Sequence, residues 1–264
     1  MAINLAKTEE ELTKGMMDKI SLSKDRINLE THIVSLSKTV VSLSKKEEID
    51  MSSIYARVAV VMDYSGSMSM LYTNCVVQNT LNRLVPLGLA FDDNDELDVY
   101  LFQNDYRKMQ PMNLNNYDTY VEKVIDKSGY SMGGTEYAPV IKAIFQGEEH
   151  TKRKGLFGRK TVVRENGIVD DTVPTFVMFI TDGDNSDKTV TDKVIREISE
   201  QNGFIQFVGI GNSNFSYLEK LDNLEGRKKD NTGFMKVESL NNIMDEELYN
   251  ILLEQFAKWL KGEQ

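Results

Sequence analysis

The residues best suited to chemistry are three oxygen-bearing side chains at alternate positions, Asp63, Ser65 and Ser67, in the run Asp63-Tyr64-Ser65-Gly66-Ser67-Met68. They directly follow residues 58–62, whose aliphatic, largely β-branched run reads as a buried strand. In open α/β sheets ligands bind beyond the carboxyl ends of strands. One carboxylate and two hydroxyls placed there offer hard donors to a hard cation. Two later pieces extend the set: Thr135, behind Gly133-Gly134, and Asp182, in Thr181-Asp182-Gly183 at the end of another apolar run. Together they supply three hydroxyls and two carboxylates. A small divalent cation such as Mg²⁺ prefers six oxygens in octahedral array. With only two charges around it, the metal would stay Lewis-acidic and seek an anionic sixth ligand, such as a carboxylate of another protein. Oxygen-only donors also admit Mn²⁺ and Ca²⁺.

Each glycine near these residues has an expected reason. Gly66 and Gly183 would let the chain turn beside a ligand, and Gly133 and Gly134 would accept unusual dihedrals and close approach. The helix starting after Ser67 would aim its positive end at the site and favour an anion beside the metal.

The elements that must position these groups alternate from residue 55 onward. Strands are expected over 57–62, 96–102, 175–181, 204–210 and 234–237, with a short extra strand at 106–112. Helices are expected over 70–87, 117–127, 137–146, 190–201 and 240–261, the first ending at Pro86 and Gly88. This order argues for an α/β protein with a doubly wound, mostly parallel central sheet covered by helices on both faces, of Rossmann type. Residues 151–171 interrupt the alternation with six basic residues, from Lys152 to Arg164, and read as a basic surface insertion whose 160–164 part is one arm of a hairpin. Residues 1–54 differ from the rest. Ile20-Ser21-Leu22-Ser23-Lys24 recurs as Val34-Ser35-Leu36-Ser37-Lys38 and Val41-Ser42-Leu43-Ser44-Lys45. The spacing is too irregular for a solenoid, and the segment reads as an N-terminal arm of helix and linker that packs on the core or on a partner. The domain division is therefore 1–54 and 55–264.

Composition narrows the classes. The 264 residues are 41% hydrophobic and 27% charged, with a net charge of -10, which argues against a general nucleic-acid or anionic-membrane binder. A single cysteine, Cys75, excludes an intramolecular disulfide and favours a reducing compartment. No secretory signal or membrane span is visible, so a cytoplasmic location is expected. Cys75 and Trp259 fall in apolar helical patterns and read as core; His32 and His150 read as surface residues.

The three motifs resemble the von Willebrand factor A domain and its metal-ion-dependent adhesion site, in which Asp-x-Ser-x-Ser is followed by a distant Thr and a distant Asp in a T-D-G context. Asp63, Ser65, Ser67, Thr135 and Asp182 match all five positions. The resemblance covers about residues 55–262 and implies that Ser65, Ser67 and Thr135 hold a divalent cation, Mg²⁺ foremost, with Asp63 and Asp182 acting directly or through water. Glu136 and Asp184 read as solvated loop acids beside them. The Ser-Leu-Ser-Lys segments look like those of bacterial tellurium-resistance (Ter) stress proteins, some of which carry an A domain. These resemblances imply a non-enzymatic module that binds an acidic residue of another protein through the metal, in a tellurium-resistance or stress system. They imply too that one of the last helices can shift on binding. Two alternatives remain open at this point. One is a metal-dependent phosphatase or phosphotransferase, disfavoured because Ser65 stands where a second Asp is usual. The other is a metal site that only stabilises the fold.

Overall fold

A computed structural model describes residues 7–20, 26–153 and 160–262 of the chain. The apolar run after residue 56 forms β1 (Arg57–Asp63), buried from its second residue to its last. It is one of the two central strands of a six-stranded sheet that also contains β2 (Asp98–Phe102), β3 (Tyr106–Lys108), β6 (Thr175–Thr181), β7 (Gly203–Ile210) and β8 (Thr232–Val237), in the order β3-β2-β1-β6-β7-β8. All neighbours are parallel except β3, which turns back antiparallel to β2. β1, β6 and β7 are buried on both faces, the condition under which continuous apolar strands are favoured. The chain is α/β, with a mostly parallel central sheet.

Alternate residues of β1 enter two separate cores. Val58, Val60 and Met62 face one, and Ala59 and Val61 the other, as the two-residue period of a strand requires. On the first face lie α4 (Val76–Phe91) and α8 (Asp245–Lys261); on the second lie α5 (Ala138–Gln146), α6 (Lys188–Ile198) and α7 (Ser216–Asp222). Successive connections thus leave β1 and β6 toward opposite faces, opening a crevice at their carboxyl ends.

The N-terminal segment forms α1 (Glu9–Lys19) and α2 (Arg26–Lys46), which join the first core. Thr8 and Glu11 form a capping box that starts α1. In α2 the buried hydrophobic residues are Leu29, Ile33, Leu36, Val40 and Leu43. That spacing of four, three, four, three is the seam of a packed helix. The second and third Ser-Leu-Ser-Lys copies are therefore helical, not extended; residues 21–25 of the first copy lie outside the described residues. Along α8, Lys38 meets Glu246 at 3.3 Å and Lys46 meets Glu254 at 2.6 Å, so the two helices run in the same direction. Exposed pairs of this kind add only about 0–1 kcal/mol each.

Beneath those pairs lies a more consequential contact. Arg83 of α4 is 9% exposed and donates from Nε to Asp245 at 2.5 Å and from its terminal nitrogens to the carbonyls of Leu240 and Ile243. The other Asp245 oxygen meets His32 Nδ1 at 2.5 Å. These hydrogen bonds and charges hold the Asp245 carboxyl below its usual range against the opposing effect of burial. His32, expected at the surface, is instead a half-buried bridge between α2 and α8; its partner is 213 residues away, beyond any local pattern.

Several local expectations change. The helix expected over 70–87 is broken into α3 (Ser69–Thr73) and α4, and Cys75 at the break has φ 58 and is exposed, not core. Pro86 does not end α4, which runs on to Phe91. Gly88 is there for close approach, since a Cβ would lie 2.9 Å from the Glu96 carbonyl oxygen. Residues 117–128 are a chain of short 3₁₀ and π turns instead of one helix. The extra strand shortens to β3, with Met112 bridging Leu97 beyond it. The short α7 had no counterpart in the sequence pattern. Trp259 packs on Phe204 and Phe256 as expected. In the basic segment β4 (Glu148–Arg153) and β5 (Lys160–Glu165) form an antiparallel hairpin. His150 lies in it, outside the residues whose side chains are described.

Replacing Arg83 by Met should leave Asp245 and two carbonyls without their donor. A loss of about 3 kcal/mol is expected, read as a lower urea midpoint at unchanged slope. A loss under about 1 kcal/mol would show that the contact does not hold α8 in place.

Candidate metal centre

The crevice between β1 and β6 receives all three motif loops. Asp63 is the last residue of β1 and is fully buried. Its Oδ1 accepts from the Ser65 amide at 2.8 Å and its Oδ2 from the Thr181 hydroxyl at 2.6 Å. Its own carbonyl accepts from Tyr72 on α3 at 3.0 Å. The Ser65 and Ser67 hydroxyls lie 3.0 Å apart, and Ser67 donates to Asp182 Oδ1 at 2.8 Å. Four of the five motif residues are thus joined in one chain of short contacts. Each carboxylate and hydroxyl oxygen keeps a further lone pair.

Thr135 arrives by backbone. Its loop is laid beside the first motif by a parallel bridge between Ser65 and Gly133, with the Gly66 amide donating to the Gly133 carbonyl at 3.1 Å. On its other side the Thr135 carbonyl accepts from the Ser186 amide at 2.9 Å. Among the described residues no hydrogen bond ties the Thr135 hydroxyl to the other four. The Gly133-Gly134 pair is explained by crowding, not by unusual dihedrals: neither has a positive φ, and a Cβ on Gly133 would lie 2.0 Å from the Gln103 side chain. Gly66 and Gly183 show neither crowding nor positive φ. The helix expected to aim at the site from Ser67 is only the five-residue α3, so its dipole contributes little.

Glu136 and Asp184 are at the rim. Asn104 reaches Glu136 at 3.5 Å, and Asp184 pairs with Lys188. Residues that the sequence reading left without a role hold the loops. Asp187 accepts from the Tyr137 and Ala138 amides at 3.0 and 2.8 Å and so starts α5. Tyr137, fully buried, donates to the Gly183 carbonyl at 2.6 Å. Thr181 had a visible signal, its place beside Asp182, but its bond to Asp63 needs the β1–β6 pairing.

Electrostatics fits a cation. Burial pushes the Asp63 carboxyl up to about 6; hydrogen bonds from Ser65 and Thr181 oppose this rise, and the charge of Asp182 adds to it. A buried carboxylate, a second one within reach and three hydroxyls are a donor set for a hard divalent ion. No cluster suited to a softer metal competes with it among the described residues.

A mostly parallel sheet with this crevice defines a von Willebrand A-type domain. Residues 55–157 and 159–264 match the vWA-TerF-like family, described as "vWA found in TerF C terminus", and the chain belongs to that family. It is also similar to the uncharacterized protein YcbR of Bacillus subtilis strain 168, at 36% identity over 217 residues, 81% of this chain and 82% of that one. Among solved structures it is similar to the proximal thread matrix protein 1 of the mussel byssus in a form with a zinc-occupied MIDAS motif, at 15% identity and TM-score 0.47, covering 85% of this chain and 52% of that chain. It is similar too to the ArnB paralog VWA2 of Sulfolobus acidocaldarius, at 15% identity and TM-score 0.47, covering 77% of this chain and 46% of that chain. The chain spans about half the length of these structures.

The raised Asp63 value has a consequence for the metal-free protein. Its folded state holds the proton more tightly than the unfolded chain, whose value is about 3.9. This group therefore favours folding most below about pH 4, and the contribution is lost as pH rises through about 6. In EDTA, Asp63→Asn should raise stability at pH 7.5 by roughly 1–3 kcal/mol and leave it unchanged at pH 4. A lower urea midpoint at pH 7.5 would show that the carboxylate is a net stabiliser without metal.

Proposed function

We propose that this chain is a non-enzymatic, metal-dependent interaction module that binds a carboxylate of another protein through a divalent cation. The observation that carries this reading is the convergence of Asp63, Ser65, Ser67, Thr135 and Asp182 at one crevice, together with membership of a von Willebrand A-type family. Ser65, Ser67 and Thr135 would hold the ion by their hydroxyls, and Asp63 and Asp182 directly or through water. Mg²⁺ is the foremost candidate by donor type, with Mn²⁺ and Ca²⁺ also suited. The bound ion would supply a Lewis-acidic position for an incoming carboxylate. The chain's own part is to fix the hydroxyls through the Ser65–Ser67–Asp182 contacts and to keep Asp63 dry beneath them. Asp63 is poorly placed as a nucleophile, because both of its oxygens are engaged and it is fully buried. This favours binding over phosphoryl transfer.

The family's TerF label is the link to tellurium resistance, and a bacterial stress-response role in the cytoplasm is part of the proposal. Among the described residues no helix is long and apolar enough to cross a membrane.

Calorimetric titration of metal-stripped protein with Mg²⁺, Mn²⁺ and Ca²⁺ tests the site. One saturable event is expected, abolished in Asp63→Ala and Thr135→Ala with native circular dichroism. Because a proton competes for Asp63, affinity should fall about fivefold between pH 6 and pH 5. Undiminished binding in Thr135→Ala would remove that residue from the ligand set. No binding of any of the three ions up to millimolar concentration would overturn the metal site.

A further inference from the structure

The metal crevice has a second charged feature on its flank. Arg107 lies on β3 and is exposed. Strand register places it two strands from the metal motif: Met62 pairs with Leu101, and Leu101 with Arg107. At about 4.8 Å per strand the backbone separation is about 10 Å. A stack of rings spans that gap. Tyr64, between Asp63 and Ser65, lies edge-on to Tyr72 and stacks on Tyr130 with centroids 5.8 Å apart and planes 14° apart. The Arg107 guanidinium sits over the Tyr130 ring, 4.8 Å from its centroid.

The guanidinium is held, not free to swing. It donates to the Ser128 carbonyl at 2.5 Å, and Tyr130 is itself fixed by its hydroxyl on the Asp105 carbonyl at 2.8 Å. Among the described residues no carboxylate closes on Arg107, whereas its neighbour Lys108 pairs with Asp98 at 2.9 Å and Lys188 at the opposite rim pairs with Asp184. A planar guanidinium fixed by stacking keeps donors in a fork matched to a carboxylate. An exposed cation that is oriented, unneutralised and beside a cation-binding crevice is suited to recognising a second negative charge.

We infer that Arg107 is a specificity-determining residue of the interaction surface, and that the partner is a doubly acidic protein segment: one carboxylate at the metal and a second on Arg107, whose backbone lies about 10 Å from that of the metal-bearing strand. This rests on the metal-dependent reading above. In an extended segment such a span corresponds to acids about three residues apart, at about 3.4 Å per residue. The contact is solvent-exposed, so its contribution is modest and salt-sensitive, about fivefold in affinity at low ionic strength. Its main effect is selection among acidic partners, because a lone carboxylate satisfies only the metal.

The test uses the full chain loaded with Mg²⁺ and synthetic Gly/Ser-based peptides. One peptide carries a single Glu, and others carry two Glu residues at spacings of one to five. The metal titration is run on every variant first. Expected is a preference of about fivefold for the doubly acidic peptide spaced near three. That preference should vanish in Arg107→Glu, survive in part in Arg107→Lys, and fade at high salt, while Mg²⁺ affinity stays at the wild-type value. Equal binding of singly and doubly acidic peptides overturns the inference, as does a preference that persists in Arg107→Glu, or no detectable binding of any peptide to metal-loaded protein. Failure of the metal-dependent reading looks different: Mg²⁺ does not bind, or the peptide preference is the same in EDTA and in Asp63→Ala.

Discussion

A buried carboxylate at the end of the central strand is the constraint around which this molecule is arranged. Asp63 has no access to solvent, and a charge in that position is tolerated only when hydrogen bonds or a cation compensate for lost hydration. The surrounding chain supplies part of that compensation. The Ser65 amide and the Thr181 hydroxyl are donors because β1 and β6 are adjacent and parallel, in a register that pairs Met62 with Ile180. A one-residue slip would turn Thr181 to the other face of the sheet. The strand order, the two separate cores and the opposite exits of the chain from β1 and β6 all serve to hold that register. Within the proposed function, the cation supplies the rest of the compensation, which links metal occupancy to the stability of the sheet's central pair.

The N-terminal helices extend this logic away from the crevice. α2 and α8 run side by side over the first core, and Arg83 ties both, through Asp245, to α4. α4 begins just beyond α3, which in turn reaches the Asp63 carbonyl through Tyr72. A continuous set of packed helices and buried hydrogen bonds therefore joins α2 to the floor of the crevice. Residues 7–20 and 26–54 belong physically to the same packed unit as the sheet, as their shared core shows.

Much of the site was legible because its signals are local. An apolar run ending in Asp63, and another ending in Thr181-Asp182-Gly183, announce two strand ends, and buried parallel strands place their ends together. The strands 175–181 and 204–210 read well for the same reason: burial on both faces writes itself as uninterrupted hydrophobicity. What could not be read depends on long-range partners. Nothing near His32 announces Asp245, and nothing near Cys75 announces a left-handed residue that turns its thiol outward. The α2 helix is an intermediate case. Its four-three spacing of Leu29, Ile33, Leu36, Val40 and Leu43 is present in the sequence, but the alternation inside each Ser-Leu-Ser-Lys copy suggests a strand over any short window. Only the longer period, counted across the copies, identifies the buried stripe.

The basic hairpin β4–β5 is rooted far from all of this. It follows the C-terminus of α5, whose N-terminus is held at the crevice by Asp187. The chain then returns past Asp170, which pairs with Arg57 at the opening residue of β1. The seven residues of β6 separate the two poles by roughly 20 Å. The acidic, oxygen-lined crevice therefore lies at the carboxyl ends of the central strands, and the separate two-stranded hairpin, whose sequence carries the cluster of basic residues, is rooted at their opposite ends.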